Sequence, residues 1–269
     1  LSLPDPRPGF GVEVVRKTMR LLNEYEARYG LDDVAGSVLH ALVEYDGFNR
    51  EAGSTLPEMR VILEKWAERF QLSGMGLGGG GTLCVTRDEV VGSWRDGFEA
   101  FAQARHSVRH FGSDPVSPDQ IEKAVRIAQR APSVCNRQSG CVHVFSDRHV
   151  MDQLLALQGG KRGFGGQIQR LLLVASDLQC FSNAGERTQA WTDGGMFAMS
   201  LVFGLHALGL GTCCLNWSKT PDRDLALREL VPIPASQTVL MMVGVGSLPE
   251  RFSVAFSHRR PVEEILYFH

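Results

Sequence analysis

From Arg105 onward the chain alternates between short apolar runs and helical patterns, and this alternation most constrains how it can fold. The apolar runs are short and bounded by turn residues, so they predict strands at 141–146, 171–176, 211–215 and 238–246. Apolar residues at helical spacing predict helices at 117–130, 148–157, 193–208 and 223–230. The pattern therefore predicts an α+β domain with a central sheet.

The first 73 residues have a different pattern, with apolar residues at helical spacing and no strand signal. They predict helices at 12–29, 32–45 and 57–70, preceded by a proline-rich arm at 3–10. The third helix is expected to begin at a capping box formed by Thr55 and Glu58. We therefore predict a helical N-terminal extension over residues 1–85 and a second domain over residues 86–269.

The glycine-rich stretch GMGLGGGG at 74–81 has the G-x-G-x-x-G spacing of a dinucleotide-binding loop. That loop requires a strand before the glycines and a helix opening on the last of them. Here a predicted helix precedes them, and the next helix begins later, at a capping box of Thr86 and Glu89, and is predicted to run to about Ala104. The stretch therefore favours a hinge between the two domains over a phosphate loop.

Charge and cysteine content exclude several classes of protein. Lys and Arg number 28 against 30 Asp and Glu, so no electrostatic footprint for nucleic acid or an anionic membrane is expected. The six cysteines include no C-x-x-C pair, so no metal site is predicted. No long apolar run or signal-peptide pattern is found, which makes a cytoplasmic location the default. The chain begins at Leu1, which leaves open whether a segment precedes it.

Arg105, Ser107 and Arg109 stand at alternate positions in the segment RHSVR. In an extended segment they share one face, where two guanidiniums and a hydroxyl can converge on an anion or an electron-rich ring. The alternative is an exposed strand that carries ordinary surface charges. His106 and His110 alternate away from that face and are predicted to lie at the surface.

Two further segments could bind a ligand. Residues 131–138, APSVCNRQ, form a predicted turn in which Asn136 and Gln138 offer donors and acceptors suited to the edge of a heterocycle. Arg259, two residues before Pro261, could reach a phosphate. An ordinary helix-ending loop and a solvated basic turn are the alternatives for the two segments.

Taken in order, these segments resemble the FMN-dependent nitroreductase family. That family carries an R-x-S-x-[RK] segment, a P-S-x-x-N-x-Q turn, a D-x-x-x-A helix leading to a G-L-G-[ST]-C strand, and a final Arg-x-Pro. The matching segments here are 105–109, 132–138, 193–198 with 209–213, and 259–261. The chain departs from many relatives at Ser139-Gly140, where they have Pro-Trp, and at Ser257, where they have Lys.

The resemblance implies a nitroreductase-like α+β fold, with helices around a central mixed or antiparallel sheet, and a homodimer with two FMN sites at the subunit interface. Arg105 and Ser107 would hold the phosphate and ribityl end together with Arg259, and Arg109 would lie by the N1 and O2 side of the flavin ring. The turn would come from the partner subunit. The candidate FMN-binding residues are Arg105, His106, Ser107, Arg109, Pro132, Ser133, Val134, Asn136, Gln138, Gln158, Arg162, Cys214, Leu215, Asn216 and Arg259.

The implied activity is transfer of a hydride from NADH or NADPH to FMN, and then of two electrons to a small organic substrate, by a ping-pong mechanism without a catalytic side chain. Three stretches, at 163–165, 193–199 and 215–218, resemble nitroreductase-like proteins found with bacterial surface-polysaccharide genes. Two alternatives stay open: a non-catalytic flavin-binding or structural partner in a biosynthetic assembly, and an FMN enzyme for a dedicated metabolite. His206 is expected to be a buried histidine with a satisfied ring.

Overall fold

The computed structural model describes residues 1–54, 56–73, 79–92, 95 and 97–269. By its internal contacts the chain divides into two compact units. The N-terminal unit comprises Leu1–Cys84 and Ser253–His269, and the sheet unit comprises Val85–Phe252. Residues 253–269 therefore group with the first 84 residues. The FMN-binding domain over residues 86–269 stays a prediction.

The N-terminal unit contains three helices, as predicted, at α1 (Val12–Tyr29), α2 (Asp33–Glu51) and α3 (Pro57–Leu72). Their apolar faces meet in a core of their own that includes Leu39, Met59 and Trp66. The second helix extends six residues beyond its predicted end. It ends where Gly53, with φ 72°, adopts the left-handed conformation that commonly terminates a helix. Thr55, half of the predicted capping box, lies outside the described residues.

The buried Asn49 fixes the proline-rich arm to α2. Its Oδ1 accepts a hydrogen bond from the Gly9 amide at 2.6 Å, while its Nδ2 donates to the Tyr45 carbonyl. The Tyr45 hydroxyl donates in turn to the Phe10 carbonyl at 2.8 Å. Satisfying these polar groups inside the unit offsets the cost of burying them, so the arm belongs to this unit.

The glycine-rich stretch is only partly described, because Gly74–Gly78 lie outside the described residues. Its C-terminal end lies against α2: the Gly80 amide donates to His40 Nδ1 at 3.1 Å, and the Thr82 amide donates to a Glu44 carboxylate oxygen at 2.6 Å. A Cβ on Gly80 would meet the Ser37 carbonyl, so glycine is needed for this close approach. The hinge role of the stretch stays a prediction.

The remaining elements follow in chain order. The helices are α4 (Arg87–Gly92), α5 (Phe98–Ala104), α6 (Pro118–Ala128), α7 (Arg148–Gln158), α8 (Gln189–Ala207) and α9 (Pro221–Leu230). The strands are β1 (Thr82–Thr86), β2 (Gly140–Phe145), β3 (Arg170–Asp177), β4 (Leu210–Asn216), β5 (Gln237–Ser247) and β6 (Arg251–Ala255). Strands β1 and β6 pair with each other, and each contains residues of both units.

Strands β2 to β5 form an antiparallel sheet in the order β2-β3-β5-β4. Six consecutive residues of β3 are buried, which shows that both faces of the sheet are covered at its centre. Helix α8 packs on the sheet and α6 packs on α8, around a core that includes Leu172, Leu201 and Val243. The predicted α+β architecture with a central sheet is confirmed.

Two further predicted helices, besides α2, were wrong in their limits. The single helix expected from Thr86 to Ala104 is two helices, α4 and α5, because Gly97 has a φ of 96°, which interrupts a right-handed helix. The capping box at Thr86 and Glu89 is present. Helix α8 begins at Gln189, four residues before the predicted Asp193, so Asp193 lies within the helix. Strands β1 and β6 were not predicted.

Close packing between α8 and α6 should make Gly204 intolerant of substitution. A Cβ there would lie 2.9 Å from the Ala124 carbonyl oxygen and 3.1 Å from its Cα, which are main-chain atoms. We expect Gly204→Ala to lower the free energy of unfolding by about 1–3 kcal/mol, although Ala is the better helix former. Gly47→Ala, in an open position of α2, should raise it by about 0.5–1 kcal/mol. Urea unfolding of both variants tests this, and stabilisation by Gly204→Ala would contradict it.

Candidate functional site

The segment Arg105–Arg109 lies along the edge strand β4. Ser107 forms a parallel bridge with Thr212, and the Val108 amide donates to the Thr212 carbonyl at 2.8 Å. Val108 is buried, while Arg105 and Arg109 are half-buried and Ser107 is exposed. The alternation predicted from the sequence is therefore anchored by the buried Val108 against the sheet.

Two glutamines hold the chain that follows this segment. Gln167 Oε1 accepts from the Phe111 amide at 3.0 Å, and Gln169 Oε1 accepts from the Val116 amide at 3.0 Å. The Gln169 side chain also donates to the Gly112 carbonyl at 2.8 Å. Because these bonds pair main-chain groups outside the sheet, they fix the exit of the arginine segment.

The two guanidiniums of this segment are uncommitted. In the part of the chain that the structure describes, neither Arg105 nor Arg109 forms a hydrogen bond or ion pair with another protein group. Other arginines of the same unit are engaged: Arg137 pairs with Glu186, for example. Half-buried cations without protein partners are suited to bind an anionic ligand.

Both cations act on the neighbouring strand. Burial raises the pKa of the Cys213 thiol, and the Arg109 charge opposes that shift. Although Cys214 is an exposed residue, desolvation raises the pKa of its thiol, and the Arg105 charge again opposes the shift. The two guanidinium charges therefore lie close enough to β4 to influence the pKa values of its thiols.

The end of β4 presents Cys214 and Asn216 on its exposed face, with Leu215 buried between them. The Asn216 carbonyl accepts a hydrogen bond from Gln158 Nε2 at 3.1 Å. Gln158 Oε1 accepts from the Gly160 amide at 2.5 Å, so both ends of this buried side-chain amide are occupied within the protein. Gln158 thus supports the strand end, while Arg162 is exposed on the neighbouring loop.

The predicted turn of residues 131–138 contains a short 3-10 turn at Val134–Asn136 with unusual backbone geometry. Cys135, Asn136 and Gln138 have φ values of 49°, 54° and 52°. This left-handed region is uncommon for residues other than glycine, although asparagine tolerates it better than most. Such conformations cluster at functional sites, where the surrounding structure maintains them. Asn136 and Gln138 are exposed and Ser133 is half-buried.

A small cleft of about 80 Å³ opens beside this turn. It is lined by residues of the turn, including Pro132, Ser133 and Gln138, and by Asp193 and Phe197 of α8. Asp193 was not predicted to lie in this region, although an acidic residue within an otherwise apolar helix was a usable signal.

The other predicted residues have separate positions. His106 and His110 are half-buried, rather than at the surface as predicted, because their segment is fixed against β4. Arg259 belongs to the N-terminal unit, where its guanidinium donates to the Ser257 carbonyl at 2.8 Å.

The described residues contain no group of three or more His, Cys, Asp or Glu side chains suited to a metal ion. No described helix is long and apolar enough to cross a membrane.

His206 is buried, as predicted, and its Nε2 donates to the Phe101 carbonyl at 3.1 Å. Burial lowers the pKa of His206 below its ordinary value, so the unfolded chain takes up this proton first as the pH falls. Stability from this group is thus complete above the unfolded pKa of about 6.5 and is lost below it. We expect His206→Gln to show a smaller decrease in Tm than the wild type between about pH 7.5 and about pH 5.5. Parallel thermal scans test this, and equal decreases would contradict it.

Comparison with known proteins gives a family match over the sheet unit. The family model described as Nitroreductase family matches residues 102–247. This range contains the arginine segment, the turn and the end of β4, but not Arg259. It covers more than half of the chain.

Individual proteins resemble this chain only at low identity or over a short range. A protein of Archaeoglobus fulgidus, provisionally named NADH dehydrogenase/NAD(P)H nitroreductase, is 25% identical over 53% of this chain and 80% of its own length. The 5,6-dimethylbenzimidazole synthase of Rhodospirillum rubrum is 44% identical over 46 residues, which are 17% of this chain and only 22% of that protein. The NADPH:FMN oxidoreductase of Vibrio harveyi, solved in complex with NAD+, has a similar fold, with a TM-score of 0.53 and 16% identity over 61% of this chain and 73% of that one.

Proposed function

Because the chain belongs to the nitroreductase family, we propose that it is an FMN-dependent oxidoreductase that takes a hydride from NADH or NADPH and reduces a small organic molecule. The observation that carries the proposal is the pair of half-buried, uncommitted guanidiniums of Arg105 and Arg109 beside β4. The name of the Vibrio harveyi protein, which includes FMN, also supports FMN as the cofactor of this chain.

The residues present fit FMN chemically. A flavin mononucleotide has a dianionic phosphate at one end and a ring that accepts negative charge at the other, and the two arginines are four residues apart on an extended segment. Arg105 and Ser107 would hold the phosphate and ribityl end, and Arg109 the ring. Cys214, Leu215 and Asn216 would line the ring from β4.

When bound, FMN supplies the hydride and two-electron chemistry that no amino-acid side chain offers. The chain's own residues bind and orient it and tune its charge. A fixed cation at Arg109 would stabilise negative charge on the reduced ring. We assign no catalytic acid or base, and donor and acceptor would use the same pocket in turn, in a ping-pong cycle.

The proposed enzyme is a homodimer with FMN at the interface. Helix α8 exposes Trp191, Met196 and Met199 although most of its other apolar residues are buried. A row of exposed large apolar side chains on one helix is typical of a surface that another protein covers. A second copy of the chain would cover this face, and its turn of residues 132–138 would complete the FMN site.

The N-terminal unit favours a second candidate function. It has its own core and an ordered proline-rich arm, and it lies outside the residues that the family model matches. An additional folded unit could serve as the binding part of a non-catalytic flavin-binding or structural partner within a polysaccharide or other biosynthetic assembly.

The purified protein decides between the two. We expect visible flavin absorbance, release of FMN on denaturation, and anaerobic bleaching of that absorbance by NADH or NADPH. Flavin that binds but does not bleach with either nicotinamide would favour the non-catalytic candidate. A colourless protein that also fails to bind added FMN would contradict both.

A further inference from the structure

The turn of residues 132–138 is held in its unusual geometry by groups outside itself. Cys135 and Gln138 gain nothing intrinsic from a left-handed backbone, so an isolated peptide would leave it. Within the turn, the Ser133 hydroxyl accepts from the Gln138 amide at 3.0 Å. That local bond closes the turn but does not attach it to the rest of the fold.

Asp193 attaches the turn to α8. Its Oδ2 accepts from the Val134 amide at 3.0 Å, and its Oδ1 accepts from Gln189 Nε2 at 2.6 Å. The residue is only 3% exposed, and among the described residues no cationic group forms an ion pair with it. A buried carboxylate bound only by neutral donors is costly, so its place here points to a task that the turn requires.

Arg137 attaches the other end of the turn. Its guanidinium donates to Glu186 at 2.6 Å and to the Cys180 carbonyl at 3.0 Å. Glu186 is itself held by the Ser182 amide at 2.7 Å, and the Arg137 hydrogen bond lowers the pKa of its carboxyl group. The two attachments flank Cys135 and Asn136, so two of the three left-handed residues are fixed from both sides, and Gln138 follows directly after the second attachment.

We propose that Asp193 is a positioning residue, which holds the turn of residues 132–138 in the conformation that contacts FMN across the subunit interface. This inference rests on the proposed function. The side chain acts through the Val134 main chain, and Arg137 with Glu186 provides the second attachment. Loss of either relaxes a turn whose backbone geometry is unfavourable by itself, and FMN then binds a less ordered site.

The test measures FMN rather than turnover. In Asp193→Ala the Val134 amide loses its acceptor, and we expect the Kd for FMN to rise by about tenfold to a hundredfold. The visible circular dichroism of bound FMN should also change, because it reports the asymmetry around the ring. Asp193→Asn keeps an oxygen that accepts from the Val134 amide, and its Nδ2 can donate to Gln189 Oε1 once the Gln189 side-chain amide flips, so its Kd should lie near the wild-type value.

Two further variants keep the test decisive. Val202→Ala removes a buried side chain from the same helix without touching the turn, so it should lower Tm and leave the Kd and circular dichroism unchanged. Arg137→Met tests the partly accessible attachment and should raise the Kd severalfold even if Asp193→Ala does not fold.

Wild-type Kd and circular dichroism in both Asp193→Ala and Arg137→Met would overturn the positioning role while leaving FMN binding intact. An equal loss of affinity in Val202→Ala would also overturn it, since that result reflects helix stability alone. A wild-type protein that binds no FMN would overturn the proposed function first, and this inference with it.

Discussion

Replacing Arg105 by Ala is expected to remove stable FMN binding, with the Kd raised by at least about a hundredfold. Among the residues that the structure describes, the Arg105 guanidinium beside β4 has no protein partner, so the change breaks no ion pair seen there. The change should therefore lower the affinity for FMN and leave the stability of the fold unchanged. An arginine bonds a phosphate through two parallel N–H groups, and loss of a bond to a charged group is more costly than loss of a neutral one.

Matched variants separate this role from general electrostatics. Arg126→Ala removes the same charge from an exposed ion pair with Glu122 and should leave FMN binding unchanged. Arg105→Lys keeps the charge but not the planar fork, so it should bind FMN with intermediate affinity. Fluorescence titration of the apoprotein with FMN gives all three constants. Wild-type affinity in Arg105→Ala would show that another group holds the phosphate.

The sheet and most helices could be predicted because the spacing of their apolar residues follows which positions are buried. The consecutive apolar residues of β3 and the alternation in Arg105–Arg109 follow from the period of an extended chain, whichever partner covers it. Strands β1 and β6 were missed because each has only five residues, TLCVT and RFSVA, which are too few for a clear strand pattern. The interruption of α4 and α5 depends on Gly97, whose left-handed φ is one option among several for glycine.

The candidate site was predictable only in part. Residue types and spacing indicated the arginine segment and the turn, but nothing in Cys135 or Gln138 indicates a positive φ. That geometry is maintained by Asp193, 59 residues away from Val134 in the chain. Contacts of this length depend on how α8 packs against the sheet, which the local pattern of neither segment contains. For the same reason the grouping of Arg259 with the N-terminal unit could not be read from its sequence.

A second large effect is expected at the exposed face of α8. Met199→Asp places a charge among Trp191, Met196 and Met199, where a second copy would bury it without a partner. We expect the dimer Kd to rise by at least about a hundredfold. If the partner's turn completes the FMN site, the monomer should also release FMN although Arg105 and Arg109 are intact.

Leu225→Asp on α9 is the matched control, because it also adds one charge at an exposed apolar residue, outside the proposed interface. It should remain dimeric and yellow. Sedimentation across a range of concentrations, recorded at a protein and a flavin wavelength, measures assembly and FMN retention together. A Met199→Asp protein that stays dimeric would place the interface elsewhere, whereas a monomer that retains FMN would show that one subunit suffices for the site. Dissociation with loss of FMN in Met199→Asp alone is the result that connects the apolar face of α8 to the cofactor.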